Sequence, residues 1–276
     1  MKRTLLVING NSGNASSIDE EVLAAALEAS SFRISGRVSL PNDELPSRAV
    51  VEEREFDAVV VCAGDGTVSS LCSNLEGWAG EVLVLPGGTM NLLSRRLHGE
   101  YALSDLTAAF PNISGAASHV PIILVGKKEI FTGLTVGPST RWGKVREKIR
   151  QADISGLSET VPAAWSETLG DDGVWLNGAA REAYAGIFIE PHDAENISVL
   201  AFKANSLGDM VNHGLAWLRR DFRDGPRDEL GLMHSATVVG DHAETGILVD
   251  GEYADHVLPV TCRAGMSSVR FLRIAA

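Results

Sequence analysis

The stretch Val59 to Asn91, VVVCAGDGTVSSLCSNLEGWAGEVLVLPGGTMN, decides the fold. It contains two apolar runs, each followed by a glycine-rich turn and then by a segment of helical pattern. The first turn is Gly64-Asp65-Gly66-Thr67, and the second is Gly87-Gly88-Thr89-Met90-Asn91. Short apolar runs that alternate with helices are typical of a parallel sheet. The sequence therefore predicts an open α/β domain built around these two units.

Both turns come at the carboxyl ends of buried strands, where open parallel sheets bind their ligands. Glycine lets a bulky anion approach the backbone, and the helix that follows presents the positive end of its dipole, so the turns predict a phosphate chain as ligand. The carboxylate of Asp65 cannot hold a phosphate itself, and we expect it to act through Mg²⁺. Thr67 and Thr89 can each add a hydroxyl to the site or cap the helix that follows.

A third turn of the same construction follows the first predicted strand, Lys2 to Ile8. This turn begins Asn9-Gly10-Asn11-Ser12-Gly13, and a capping box at residues 17–20 opens a helix after it. A plain connection between a strand and a helix would satisfy the same composition. Beside the other two turns, we favour contact with a nucleotide.

Two carboxylates lie close together near the C-terminus, in Asp250-Gly251-Glu252, directly after the apolar strand Gly246 to Val249. Residues two apart on a strand share a face, so both side chains are predicted to point the same way. Such proximity would raise the pKa of one carboxylate, which suits a general base. For the tripeptide alone, a polar hairpin turn is the alternative.

Taken together, these motifs resemble the catalytic domain of the diacylglycerol kinase and sphingosine kinase group of lipid kinases. The second turn, Pro86 to Asn91, distinguishes this group from NAD kinases, which share Gly-Asp-Gly-Thr but would be expected to carry Asn-x-Gly here. Asn9 to Gly13 is similar to the family's Asn-Pro-x-Ser-Gly, with Gly10 in the place of proline. Asp250 to Glu252 matches its Asp-Gly-Glu. The motifs follow the family order across nearly the whole chain.

The resemblance implies an ATP-dependent, Mg²⁺-dependent lipid kinase that phosphorylates a hydroxyl of diacylglycerol or a related lipid. It implies a metal-binding Asp65 and a proton acceptor that is either Glu252 or Asp250. Ser39 falls where the family places a nucleotide-contacting threonine. The residues expected to bind the nucleotide are Asn9, Gly10, Asn11, Ser12, Gly13, Ser39, Gly64, Asp65, Gly66, Thr67, Thr89 and Asn91.

The chain departs from the family pattern where the acceptor would bind. Phe131-Thr132-Gly133 stands in place of Phe-x-Asn, and Gly137-Pro138-Ser139-Thr140 stands in place of Gly-Phe-Asp-Ala. The Gly-x-Leu-Asp of the family's structural metal loop is absent around residues 194–198. These departures keep two alternatives open: an NAD kinase-like phosphotransferase, and a catalytically silent homologue that binds nucleotide or lipid and regulates another process.

The pattern changes near residue 118, which predicts two domains: residues 1–118 as the α/β nucleotide-binding domain and residues 119–276 as a mainly antiparallel β-sandwich that binds the substrate. The last predicted strand, Ser268 to Ile274, could return to the first domain. Other predicted elements are helices over 43–55, 92–98, 105–110, 146–154 and 206–223, and strands over 33–40, 120–125, 130–136, 186–190, 196–203, 235–239, 243–249 and 257–262.

Composition restricts the class of partner. A net charge of −12 argues against nucleic acid, whose binding depends on Lys and Arg. It also disfavours broad adhesion to anionic lipid, so transient membrane contact would need a local patch, for which Arg219-Arg220 is the candidate and a solvated helix face the alternative. No apolar run approaches the about 20 residues of a membrane helix, and we expect a cytoplasmic protein. Three cysteines without metal-ligand spacing predict neither a disulfide framework nor a zinc site.

Overall fold

The computed structural model describes residues 1–10, 20–99, 101, 103–110, 116–141, 173–202 and 227–274. The chain forms two compact units. Unit 1 consists of Met1–Val120 together with Met266–Ala276, and unit 2 consists of Pro121–Gly265. The predicted helices over 146–154 and 206–223, and with them the Arg219-Arg220 patch, lie outside the described residues.

The described elements alternate in the first part of the chain and are nearly all strands in the second. The helices are α1 (Glu20–Glu28), α2 (Arg48–Glu53), α3 (Asp65–Asn74), α4 (Leu92–His98) and α5 (Leu103–Ala109). The strands are β1 (Lys2–Asn9), β2 (Phe32–Leu40), β3 (Ala58–Ala63), β4 (Glu81–Pro86), β5 (Pro121–Val125), β6 (Lys128–Ile130), β7 (Leu134–Val136), β8 (Val174–Leu176), β9 (Gly186–Pro191), β10 (Ile197–Phe202), β11 (Arg227–Met233), β12 (Ser235–Gly240), β13 (Glu244–Val249), β14 (Glu252–Val257), β15 (Val260–Met266) and β16 (Arg270–Phe271).

Unit 1 is built on a parallel sheet in the order β16-β4-β3-β1-β2. All six residues of β3 are buried, as expected for a strand covered by structure on both faces. Leu23 and Leu27 of α1 pack against strand residues such as Leu6 and Val60 in one hydrophobic cluster. The last strand, β16, pairs with β4 in parallel and so joins this sheet. The predicted open parallel α/β architecture is confirmed.

The register of this sheet brings the ends of its strands into line. Ile8 of β1 is paired with Ser39 of β2 and with Cys62 of β3, and Cys62 is paired with Leu85 of β4. Parallel strands that are aligned in this way finish at the same edge of the sheet. The segments that follow β1, β3 and β4 therefore begin side by side.

Unit 2 contains two antiparallel sheets, one in the order β11-β10-β9-β7-β13-β14 and the other in the order β6-β5-β15-β12-β8. A single cluster of buried side chains contains residues of both sheets, for example Ile187 and Val199 from the first and Val238 and Cys262 from the second. Two sheets that bury their inner faces against each other form a sandwich. The predicted antiparallel β-sandwich is confirmed.

Several element boundaries differ from prediction for local reasons. The helix predicted over 43–55 begins at Arg48, because Pro46 disfavours helical backbone before it and Ser47 accepts a capping bond from Val50 N. The strand predicted over 130–136 is interrupted at residues 131–133, between β6 and β7. The strand predicted over 257–262 begins only at Val260, after Leu258-Pro259. Strands β8, β11 and β14 were not predicted.

Two expectations about composition can be compared with the structure. Cys62, Cys72 and Cys262 are buried and form no disulfide, as the sequence predicted. Among the described residues, no helix combines the length and the apolar character needed to cross a bilayer.

Candidate functional site

Three turns begin at the carboxyl edge of the parallel sheet in unit 1, the first of them described only at Asn9 and Gly10. Asn9 ends β1, Ala63 ends β3 just before Gly64, and Pro86 ends β4 just before Gly87. The pairing of Ala63 with Pro86 places the two glycine turns next to each other. The two glycine turns that the sequence predicted from separate motifs therefore lie side by side at this edge.

The two glycine turns pack backbone against backbone. A Cβ atom at Gly88 would lie 2.5 Å from the Cα atom of Gly64, and one at Gly87 would lie 2.5 Å from the backbone nitrogen of Ala63. The Gly87 N–H also donates to the carbonyl oxygen of Ala63 (3.3 Å). Since the obstructing atoms are backbone atoms, a larger residue could be admitted only by moving the turns apart.

Asn91 closes the second turn. Its side-chain oxygen accepts from the Gly88 N–H (2.6 Å), and its side-chain nitrogen donates to the Gly88 carbonyl oxygen (2.9 Å). It adopts the left-handed conformation (φ 52°, ψ 43°), which asparagine tolerates better than most residues, and it is the N-cap of α4. Asn91 thus shapes the turn through its own side chain, whereas Thr89 is exposed at the tip of the turn.

Side chains also link the turns to one another. Asn9 donates through its side-chain nitrogen to the Thr67 hydroxyl oxygen (3.0 Å), which joins the end of β1 to the start of α3. The Asp65 carboxylate accepts from the Leu93 N–H (3.3 Å), which joins α3 to the first turn of α4. These contacts bring together residues that are 58 and 28 positions apart in the chain.

The remaining nucleotide candidates extend the same edge toward β2. The Gly10 N–H donates to the Leu40 carbonyl oxygen (3.2 Å), so the start of the first turn is held beside the end of β2. Ser39 is paired with Ile8 and its N–H donates to the Asp43 carboxylate (2.7 Å). Asn11, Ser12 and Gly13 lie outside the described residues.

This arrangement has the properties of a phosphate-binding edge. The N-cap of the ten-residue helix α3 is Gly64, which brings no side chain to cover the first turn, and Asp65, Gly66 and Thr67 supply the first turn of the helix itself. Amide groups and the helix dipole at such a position favour a phosphate. The half-buried carboxylate of Asp65 fits a magnesium ion, because Mg²⁺ is held by one or two carboxylates together with the phosphates of the nucleotide.

The two C-terminal carboxylates belong to unit 2 and occupy different environments. Asp250 and Gly251 form a two-residue turn with positive φ at both positions (48° and 85°), and Val249 is paired with Glu252 across the hairpin. Positive φ at both residues is typical of Asp-Gly hairpin turns. The prediction that both carboxylates lie on one face of a single strand is therefore wrong, because the chain reverses direction between them.

Asp250 is buried, with 5% of its surface exposed, and its carboxylate is surrounded by donors. Oδ1 accepts from Thr132 N (2.7 Å), Thr132 Oγ1 (2.8 Å) and Phe131 N (3.0 Å), and more weakly from Gly133 N (3.4 Å). Burial raises the pKa of Asp250, while the hydrogen bonds from Thr132, Phe131 and Gly133 oppose that rise. The sequence predicted that a neighbouring carboxylate would raise the pKa. In the structure, burial is what raises the pKa of Asp250.

Glu252 is exposed at the start of β14, which is an edge strand of its sheet. Its side chain can therefore meet a ligand from solvent, which the buried Asp250 cannot do without losing its hydrogen bonds. Sequence reasoning missed the part that Phe131-Thr132-Gly133 plays in holding Asp250. The departure of this segment from the family pattern was the one signal in the sequence that pointed to it.

Comparison with known proteins agrees with this description of unit 1. Residues 3–125 match the family described as the diacylglycerol kinase catalytic domain. A Streptococcus pneumoniae serotype 4 protein, provisionally named a lipid kinase, is 29% identical over 101 residues, which are 35% of this chain and 34% of the relative. The match thus spans about a third of the length of that curated relative.

Two solved structures from Bacillus anthracis strain Sterne share the fold over nearly all of both chains. One, provisionally named a diacylglycerol kinase, has a TM-score of 0.64 at 13% identity and covers 99% of this chain and 97% of its own. The other, described as a diacylglycerol kinase, has a TM-score of 0.58 at 16% identity with the same coverage. Residues 3–125 are therefore similar to the diacylglycerol kinase catalytic-domain family, as the sequence motifs predicted, and the solved structures share the fold.

Proposed function

We propose that this protein is an ATP-dependent lipid kinase that transfers the γ-phosphoryl group to a hydroxyl of diacylglycerol or a related lipid. The observation that carries the proposal is the pair of glycine turns at the carboxyl edge of β3 and β4, linked to Asn9 at the end of β1, within the segment that matches the catalytic-domain family. Such an edge offers phosphates the amide groups and helix dipole that they need.

In this proposal, the turns of unit 1 bind ATP. The amides at Gly64 to Thr67 would contact the phosphate chain, and Asp65 would hold the magnesium ion. Mg²⁺ neutralises charge on the transferring phosphoryl group when it is bound. The Asn9 side chain fixes the Thr67 hydroxyl at 3.0 Å, so that this oxygen is oriented before the nucleotide arrives.

Glu252 is our candidate for the proton acceptor. The acceptor hydroxyl oxygen forms a bond to the γ-phosphorus, its proton passes to the Glu252 carboxylate, and the bond to the leaving oxygen of ADP breaks. Exposure supports Glu252 over Asp250, because the latter carboxylate is already occupied by donors from residues 131–133.

The names of the relatives support a lipid acceptor. Diacylglycerol is the first compound to test, and contact with a membrane surface would be transient, since the net charge of −12 disfavours firm adhesion to anionic lipid. The altered segments at 131–133 and 137–140 lie in unit 2, so the acceptor is where this chain would differ from other members of the family.

The proposal is tested by transfer of γ-labelled phosphate from Mg-ATP to a total lipid extract. We expect the wild-type protein to label a lipid that chromatography identifies. We expect Asp65→Ala to abolish labelling while the circular dichroism spectrum stays unchanged, and Glu252→Gln to reduce labelling by about a hundredfold or more. Glu229→Gln, which removes an exposed carboxylate from β11 in the same unit, is the matched control.

Other outcomes would replace the proposal. If NAD is added to the same assay and is labelled while no lipid is, the protein would be an NAD kinase-like phosphotransferase. ATP binding by calorimetry with no transfer to any lipid would support the silent homologue instead. Full activity of Asp65→Ala would remove the magnesium role of that residue.

A further inference from the structure

We propose that Asp250 is a positioning residue, which fastens the segment Phe131-Thr132-Gly133 to the hairpin that carries Glu252. We call this segment the crossing loop, because it joins β6 of one sheet to β7 of the other. The inference rests on the proposed function, in which Glu252 accepts the proton.

The carboxylate of Asp250 fastens the crossing loop at each of its three residues. It accepts from the N–H groups of Phe131, Thr132 and Gly133 and from the Thr132 hydroxyl. In return, the Asp250 N–H donates to the Gly133 carbonyl oxygen (2.9 Å). Hydrogen bonds to a buried charged group are stronger than those between neutral groups, so this turn and this loop behave as one body.

Packing fixes the crossing loop from its other side. The Phe131 side chain is 1% exposed. A Cβ atom at Gly133 would lie 2.7 Å from the ring of Phe188, so the backbone here lies directly against an aromatic side chain of β9. The loop is therefore held between the sheet and the Asp250 carboxylate, and it can in turn hold the hairpin.

The hairpin transmits this position to Glu252. Two turn residues separate Val249 from Glu252, which face each other as a pair across β13 and β14. A shift of the Asp250 backbone would thus also displace the first residue of β14, which lies two positions further along the chain. A displacement of about 1 Å at a reacting group can lower the rate by about a hundredfold.

The same contacts argue against Asp250 as the proton acceptor. A proton on Oδ1 would meet the Thr132 N–H and hydroxyl, which both donate to that oxygen within 2.8 Å. Oδ2 accepts from Phe131 N (3.2 Å). Protonation of either oxygen would therefore disturb at least one contact that holds the loop.

Thr132 allows the two roles to be separated. Thr132→Val removes the hydroxyl donor and keeps the shape of the side chain, and loss of that donor raises the pKa of Asp250 further. If Asp250 is a positioning residue, kcat for dioleoylglycerol in mixed micelles with Mg-ATP falls by about tenfold, while the acid limb of the pH–rate profile stays in place. If Asp250 is the proton acceptor, that limb moves to higher pH, which would overturn the proposal.

Three further variants complete the design. Thr132→Ser restores the hydroxyl and should recover most of the lost kcat. Asp250→Asn places an amide N–H against the donors of the loop and should lower kcat by more than Thr132→Val does. Thr237→Val removes a hydroxyl from an exposed pair with Thr261 in the same unit and should leave kcat unchanged. The KM for ATP should stay constant throughout, because the nucleotide turns belong to unit 1.

Amide hydrogen exchange separates failure of this inference from failure of the proposed function. We expect exchange at Thr132 and Gly133 to accelerate by about tenfold or more in Asp250→Asn and in Thr132→Val, whether or not any lipid is phosphorylated. Unchanged exchange in both variants would show that Asp250 does not fasten the loop. If exchange accelerates but the wild-type protein labels no lipid, the loop contact stands and the kinase proposal fails.

Discussion

Gly88→Ala is the perturbation whose consequence the structure defines most sharply. The new Cβ atom would lie 2.5 Å from the Cα atom of Gly64, and carbon atoms pack at about 3.5 to 4.0 Å. The two glycine turns must therefore separate by about 1 Å or more. Since the obstructing atom is backbone, no side-chain rotation can relieve the contact.

The magnitude follows from two terms. Overpacking of a well-packed site costs about 1 to 3 kcal/mol, and the upper part of that range applies against backbone. The Gly88 N–H and carbonyl also hold the Asn91 side chain at 2.6 and 2.9 Å, and each strained hydrogen bond adds about 1 kcal/mol. We expect the free energy of unfolding to decrease by about 2 to 4 kcal/mol, and kcat/KM for ATP to fall by about a hundredfold.

Urea unfolding followed by circular dichroism measures the stability term, and steady-state phosphoryl transfer measures the catalytic term. Gly10→Ala is the matched control. Among the described residues, its Cβ atom would meet nothing closer than the Leu40 carbonyl oxygen at 3.8 Å, an ordinary contact. Gly10→Ala should leave stability unchanged or raise it by up to about 1 kcal/mol, because it restricts the unfolded chain.

The reasoning is refuted if the free energy of unfolding of Gly88→Ala lies within about 0.5 kcal/mol of the wild-type value, a difference usual for neutral surface changes. It is also refuted if Gly10→Ala is destabilised as much as Gly88→Ala. The first result would mean that the contact between the two turns relaxes without cost, and the second that the lost stability does not come from that contact.

Two further predictions concern buried titratable groups. The Ile274 N–H donates to His98 Nδ1 (3.2 Å), and burial lowers the pKa of His98, so the unfolded chain takes up a proton first as the pH falls. As the pH drops below about 6.5, the free energy of unfolding should therefore decrease by up to about 1.4 kcal/mol per pH unit, until His98 in the folded protein is itself protonated. Urea unfolding midpoints at about pH 7.5 and about pH 5.5 measure this decrease, and an equal decrease in His98→Gln would contradict the prediction. Burial raises the pKa of Cys62 to about 12 and that of Cys262 to about 11. Alkylation by iodoacetamide at about pH 8 should thus be more than about a hundredfold slower in the folded protein than in urea, and rapid labelling of either thiol in the folded protein would show that it is not buried.

The strands and glycine turns along the carboxyl edge of the parallel sheet could be predicted because their signals are local. Each strand, glycine turn and helix is specified within about fifteen residues, and the carboxyl ends of parallel strands must share one edge. The contacts across that edge could not be predicted. The Asn9 side chain meets Thr67, and Asp65 accepts from Leu93 N, only because the register of the sheet sets these turns side by side.

The Asp250-Gly251-Glu252 tripeptide shows where the sequence was insufficient. Read as the end of a strand, it predicted two carboxylates on one face, whereas the hairpin turn buries one and exposes the other. The choice depends on Thr132, which lies 118 positions earlier in the chain and donates twice to the buried carboxylate. A single sequence carries no local sign of such a partner.

The sequence by itself determined the parallel α/β architecture, the antiparallel sandwich and the positions of the glycine turns, because hydrophobic period and turn chemistry act between near neighbours. The tertiary structure alone decided which carboxylate is exposed, which glycines must stay small, and how the last strand pairs with β4. Burial, register and backbone contact arise only when distant segments pack together, and they are the reason that Asp250 is buried while Glu252 is exposed.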